Sequence, residues 1–166
     1  MSGGAAVLPP YLGAGPSIKA DDMAQMLEAL RRMTNWVFFN RLGTASAAIT
    51  ATTFTAITSG SVAFTKVGGA TASSVIAFFY VSCFKTAGAA TKVQVAVNDG
   101  TTDWTGSQFV FSTASEHMSH MGVVTMTGQA AGAYTMALRA KLDVAGGTLT
   151  IDANDTCGMV LMEVPA

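Results

Sequence analysis

His117 and His120 are the two histidines of the chain, and with Glu116 beside them they form a Glu-His-x-x-His string that could offer ligands to a metal. The chemistry depends on where the imidazoles point. The surrounding residues read as a strand, and side chains three apart in a strand leave from opposite faces, so the rings should diverge. No third His or Cys lies nearby. The pair reads as a turn or subunit-contact pair, and no metal is expected. If both rings surrounded a symmetry axis, protonation would collect charge there and loosen an assembly near about pH 6.

Asp152, Asn154 and Asp155 could supply oxygens to Ca²⁺, as could Asp99 with Asp103, but neither group has the spacing of a known binding loop. Asp and Asn in Gly-rich turns more often bond their own backbone. Asn154-Asp155-Thr156 has the form of a glycosylation sequon, yet residues 1–10 carry neither a basic n-region nor an apolar h-region of adequate length for secretion. No Ser stands in Gly-x-Ser-x-Gly. Cys83 and Cys157 sit in apolar runs and read as free buried hydrophobes, although a bridge between adjacent strands is geometrically open. Gly13-Ala14-Gly15 leads into Pro16 instead of a phosphate-binding helix. Trp104, Phe109 and Phe111 could form a carbohydrate platform, but at strand spacing they read as core. No catalytic residue and no cofactor is expected, and the chain reads as something other than an enzyme.

Composition points the same way. Half of the 166 residues are apolar and 11% are charged, against roughly 25% charged in an ordinary soluble domain. Seven of the 19 charges fall in residues 1–42, leaving 12 for the remaining 124 residues. A surface so poor in charge is explained economically if part of it is covered by copies of itself or by another protein. A Thr/Ser/Gly-rich surface accounts for some of the deficit. The net charge of −1, without a basic run, leaves no electrostatic footprint for nucleic acid. The longest apolar stretch, Val75 to Phe84, is too short to cross a bilayer as a helix.

Three segments would position these residues. Residues 1–20, with Pro9, Pro10 and Pro16, read as an extended arm. Residues 21–42 read as a helix: Asp22 with Gln25 resembles a capping box, and Met23, Met26, Leu30, Met33 and Val37 recur at spacings of three and four before Gly43. Both a surface helix packed on its own domain and a short bundle around a symmetry axis fit that pattern. From residue 43 onward the helical period vanishes. Strands are expected near 48–57, 61–66, 74–85, 91–98, 107–111, 117–127, 132–142, 147–151 and 156–164, broken by Gly, Asn and Asp. Those at 75–84 and 157–162 are apolar on both faces, so the sandwich they belong to needs a second cover, which would be another protomer. The fold class is mainly β, a jelly-roll-like antiparallel sandwich preceded by the arm and one helix.

Ser61 to Lys66, Ser73 to Phe78, Ala131 to Met136 and Met159 to Val164 together make residues 54–164 resemble jelly-roll modules in structural proteins of tailed bacteriophages. These are capsid decoration (cement) proteins and related tail or fibre appendages, of tumour-necrosis-factor-like topology and usually trimeric. A charged or His residue ahead of the Tyr134 position, common in the family, is absent: Ala133 stands there. The resemblance implies a homotrimeric capsid decoration protein, made in the host cytoplasm and placed on the virion surface. Its partner would be the major capsid protein or another virion protein, with no nucleic acid and no membrane. On that reading Val7, Leu8, Tyr11, Leu12 and Ile18 anchor the arm. Met23, Met26, Leu30, Met33 and Val37 form the helix contact, and Phe78, Tyr80 and Met159 face the trimer axis. The alternative is a tail or head-fibre protein whose jelly roll binds a host-surface glycan. A small metal-dependent hydrolase would need metal at His117 and His120.

Overall fold

The computed structural model describes residues 25–27, 30, 36–41, 45–88, 92–111 and 114–166. Nine strands follow one another: β1 (Trp36–Arg41), β2 (Thr55–Lys66), β3 (Ser73–Gly88), β4 (Lys92–Asn98), β5 (Asp103–Val110), β6 (Met118–Met126), β7 (Gly132–Leu142), β8 (Gly147–Thr150) and β9 (Cys157–Pro165). One antiparallel sheet runs β1-β9-β3-β6, with β8 also paired to β3; the other runs β2-β7-β4-β5. Strands distributed in this order over two facing sheets make a jelly-roll sandwich.

Period-two patterning builds it. In β7, Met136, Leu138, Ala140 and Leu142 are buried while Ala137, Arg139 and Lys141 between them are half-buried. In β4, Val93, Val95 and Val97 turn inward. Opposite them, β3 contributes Val75, Ala77, Phe79, Val81 and Cys83, and β9 contributes Cys157, Met159 and Leu161. Each large side chain sealed in this inter-sheet core contributes about 1.5–3 kcal/mol. At the seam between β5 and β6 the Phe79 ring lies against Gly106 and Gly122, where any Cβ would overlap it. The two glycines are the space into which the ring fits.

Four expectations change. Residues 36–41 are a strand instead of the end of a helix: Trp36-Val37-Phe38-Phe39 is aromatic and β-branched, and it pairs with Met159–Met162 along the open edge of β9. Val37 belongs to β1 and packs against the core, so it is no part of a helix seam. Helical backbone is described at residues 25–27 and 30. The expected strands at 48–57 and 61–66 are one strand, β2, whose register against β7 shifts between Ala56 and Ser61. Ser59 takes a left-handed φ of 58° inside that irregularity, and among the described residues between β1 and β2 Ile49 makes an isolated bridge to Leu149. Met159 is 1% exposed in the inter-sheet core and so cannot face a trimer axis. The arm (residues 1–20), with Val7, Leu8, Tyr11, Leu12 and Ile18, and the helix positions Met23 and Met33 lie outside the described residues.

Candidate functional site

The two histidines diverge as strand geometry requires. His117 Nδ1 donates to Asp155 Oδ1 at 2.8 Å, since a carboxylate oxygen only accepts, and the imidazole lies 4.4 Å from the Phe84 ring. Asp155 is buried and also accepts from Ser82 Oγ at 2.7 Å and from the Asp152 backbone N–H at 2.9 Å. Asp152 Oδ2 stands 3.9 Å from His117 Nε2, while its Oδ1 accepts from the backbone N–H groups of Asn154 and Asp155. The hydrogen bond to Asp155 pushes the His117 pKa up from its ordinary value, and the charges of Asp155 and Asp152 act in the same direction. Donor atoms of His117, Asp152 and Asp155 all lie within 4.8 Å of one another, the one such group among the described residues. Because protein donors occupy both oxygens of Asp155, a cation here would draw on His117 Nε2 and Asp152 Oδ2. What the cluster does as it stands is tie the start of β6 to the β8–β9 turn.

His120 turns inward, with its ring stacked on Phe109 at 4.2 Å. Its Nε2 is buried without a hydrogen-bond partner, and burial pushes its pKa down. The rings share no site within the chain.

The other polar clusters brace turns. Asp99 Oδ1 accepts from Thr101 N at 3.0 Å, Thr101 Oγ1 at 2.9 Å and Thr102 N at 2.8 Å. Its Oδ2 accepts from Trp104 Nε1 at 2.8 Å and Gln129 Nε2 at 3.0 Å, which joins the β4–β5 and β6–β7 turns. Burial alone would raise the Asp99 pKa. The donors from Thr102, Trp104, Gln129 and Thr101 outweigh it and hold the carboxyl well below the usual carboxylate range. Asp103 is spent separately, on a two-oxygen contact with Arg139 Nη1 and on Asn98 Nδ2. Glu163, 2% exposed, accepts from Val67 N and Ser73 Oγ at 2.8 and 2.6 Å. Lys66, 1% exposed, donates to the Gly68 and Gly69 carbonyls at 2.6 and 2.9 Å. Both clamp the β2–β3 turn, and nothing in the spacing of their strands marks either as buried.

Cys83 and Cys157 are buried thiols that form no disulfide. Burial, then the Asp155 charge, pushes the Cys83 thiol up to about 12, which leaves it without a reactive thiolate. Phe109 and Phe111 are core residues and Trp104 is half-buried against the core cluster, so the three form no exposed platform.

A further feature is the outer face formed by β9, β3 and β6. Register places Phe78 between Val123 of β6 and Val160 of β9, Tyr80 beside Met121, and Ile76 beside Met162. Phe78 is 49% exposed, Met121 78%, Val123 50% and Met162 38%, with Ile76, Tyr80 and Val160 half-buried among them. The remaining outward positions from Ser74 to Tyr80, Ser119 to Thr125 and Gly158 to Val164 are Ser, Thr, Gly or Val, with no Asp, Glu, Lys or Arg. Of the expected axis residues, Phe78 and Tyr80 thus lie together on this face. Met26 and Leu30, described in the helical stretch, are exposed.

No family model and no curated protein matches the chain in sequence. Among solved structures, dimeric latent PorU from Porphyromonas gingivalis aligns over 79% of this chain and 13% of its own, at 10% identity and a TM-score of 0.46. The chain thus spans a small fraction of that protein. The tripod from the baseplate of bacteriophage Tuc2009 aligns over 89% of this chain and 69% of its own, at 14% identity and a TM-score of 0.38. A pentameric capsid protein from metagenomic phage sequences aligns over 90% and 78%, at 10% identity and a TM-score of 0.31.

Proposed function

We propose that this chain is a structural protein of a phage virion, a homotrimeric capsid decoration or cement protein, and that it catalyses nothing. The observation that carries the reading is the outer face formed by β9, β3 and β6, which has no charged residue among its described outward positions and leaves Phe78, Met121, Val123 and Met162 exposed. A folded domain that spends its charged groups on bracing turns, and leaves a three-strand apolar face to water, is built to be covered. The mechanism is mechanical. Sheet faces join copies into a unit, and residues 1–35 are left to grip the capsid shell. Each few hundred Å² of apolar surface buried across a shell joint contributes several kcal/mol at about 25 cal/mol per Å², before ordering costs, multiplied by symmetry.

Gold-labelled antibody against the chain, applied to virions of the phage that encodes it, tests the proposal. Label spread over the head supports decoration. Label confined to the tail or to fibres replaces it with the appendage reading, and unlabelled virions end both.

A further inference from the structure

We infer that the outer face formed by β9, β3 and β6 is covered by a second copy of this chain, with Phe78 at the centre of the contact and Met121 beside it. The inference deepens the proposed function and rests on its reading of the chain as an assembling protein.

Three observations select a second copy as the occupant. The first is charge. Under symmetry a contact region brings like groups together, so a face with net charge would repel itself. This one has no charged residue among its outward positions on β3, β6 and β9. The second is area. Nine register pairs on each side of β3, at about 3.3 Å per residue and about 4.8 Å between strands, give a footprint of about 30 by 14 Å before side-chain relief. Such a face, with an equal area of the next copy laid on it, buries about 1,000 Å², where specific interfaces begin. The third is side-chain type. Met121, 78% exposed, and Met162 flank an aromatic pair, Phe78 and Tyr80, and Met conforms to whatever surface it meets. The contact is thus an aromatic centre within an adaptable border, the composition of an interface core.

The test is the mass in solution of the full chain and of Phe78→Asp, Met121→Asp and Val144→Asp. Val144 is also exposed but stands in the β7–β8 turn, off this face. Aspartate at these exposed positions leaves the monomer fold intact, checked by circular dichroism. The expectation is an oligomeric wild type and Val144→Asp. Phe78→Asp and Met121→Asp should weaken self-association at least about a hundredfold, because each copy carries its own new carboxylate into the contact. Oligomers that survive both face substitutions, a monomeric wild type, or association only with a different protein would each overturn the inference. Virion labelling with the wild-type chain is scored separately. A labelled virion with an oligomeric Phe78→Asp chain removes the face and leaves the virion reading. An unlabelled virion with a monomeric Phe78→Asp chain does the reverse.

Discussion

Asp99→Asn changes no volume and removes one charge, which makes it a sharp probe of how the turns are held. Asn can keep an oxygen at the Oδ1 position and retain the bonds from Thr101 and Thr102. At the Oδ2 position an NH₂ group would then face two donors, Trp104 Nε1 and Gln129 Nε2. Gln129 has a remedy, because its Oε1 is buried and unpaired: rotating its amide lets that oxygen accept from the new Nδ2. Trp104 Nε1 has none. The cost is then one orphaned buried donor, about 1–3 kcal/mol, plus the weakening of charge-assisted bonds to neutral ones, for about 2–4 kcal/mol in all. With a urea m-value near 2 kcal/mol/M, the unfolding midpoint should fall by about 1–2 M. Trp104 emission, read in a Trp36→Phe background, should report a changed indole environment. The pH dependence has a definite sign. A carboxyl whose folded pKa is depressed stabilises the fold fully above its unfolded value of about 3.9, and loses that stabilisation as pH falls through the folded one. The gap between wild type and variant should therefore be constant from neutral pH down to about pH 5 and narrow only in stronger acid. A midpoint shift below about 0.3 M with unchanged Trp104 emission would refute the reasoning.

Other outcomes follow from the same geometry. In an NMR titration His117 should titrate above its ordinary value, and Asp155→Asn should bring it back toward about 6.5. The His117 contribution to stability is present below about pH 6.5 and lost as pH rises through the raised value. His120, whose folded pKa is lowered, costs stability as pH falls below about 6.5, so replacing it with Phe should flatten the acid side of the stability profile. Gly122→Ala forces a methyl into the Phe79 ring and should cost about 1–3 kcal/mol by urea unfolding, with Phe79→Leu in the same chain recovering part of it. Native Cys83 and Cys157 should resist a thiol reagent at pH 8 and react only on unfolding.

The sequence made the sandwich legible where burial is one-sided. Alternation at Tyr134–Leu142 and Val93–Val97 marks β7 and β4 because each has one wet face, and period two survives in the residue types. The doubly apolar runs at 75–84 and 157–162 became the central strands β3 and β9, and their second apolar face became the exposed surface around Phe78. β1 was hidden because Met33 and Val37 continue a three-and-four spacing, while the partner that decides in favour of a strand, β9, lies about 120 residues away. Pattern also cannot show that Lys66 and Glu163 fold inward, since the turn groups that satisfy them come from elsewhere in the chain. The divergence of His117 and His120 was legible from spacing; the partners Asp155 and Phe109 were not. Met159 turns to the partner sheet and not to the outer face; in a strand apolar on both sides, composition alone does not fix which side is covered.

The central claim is that the chain works as an assembly of its own copies. Light scattering on the purified full chain, read against the 17.0 kDa monomer, tests it most directly. Three copies, about 51 kDa and unchanged over a tenfold dilution, is the predicted result. A single 17 kDa species at every concentration would contradict it.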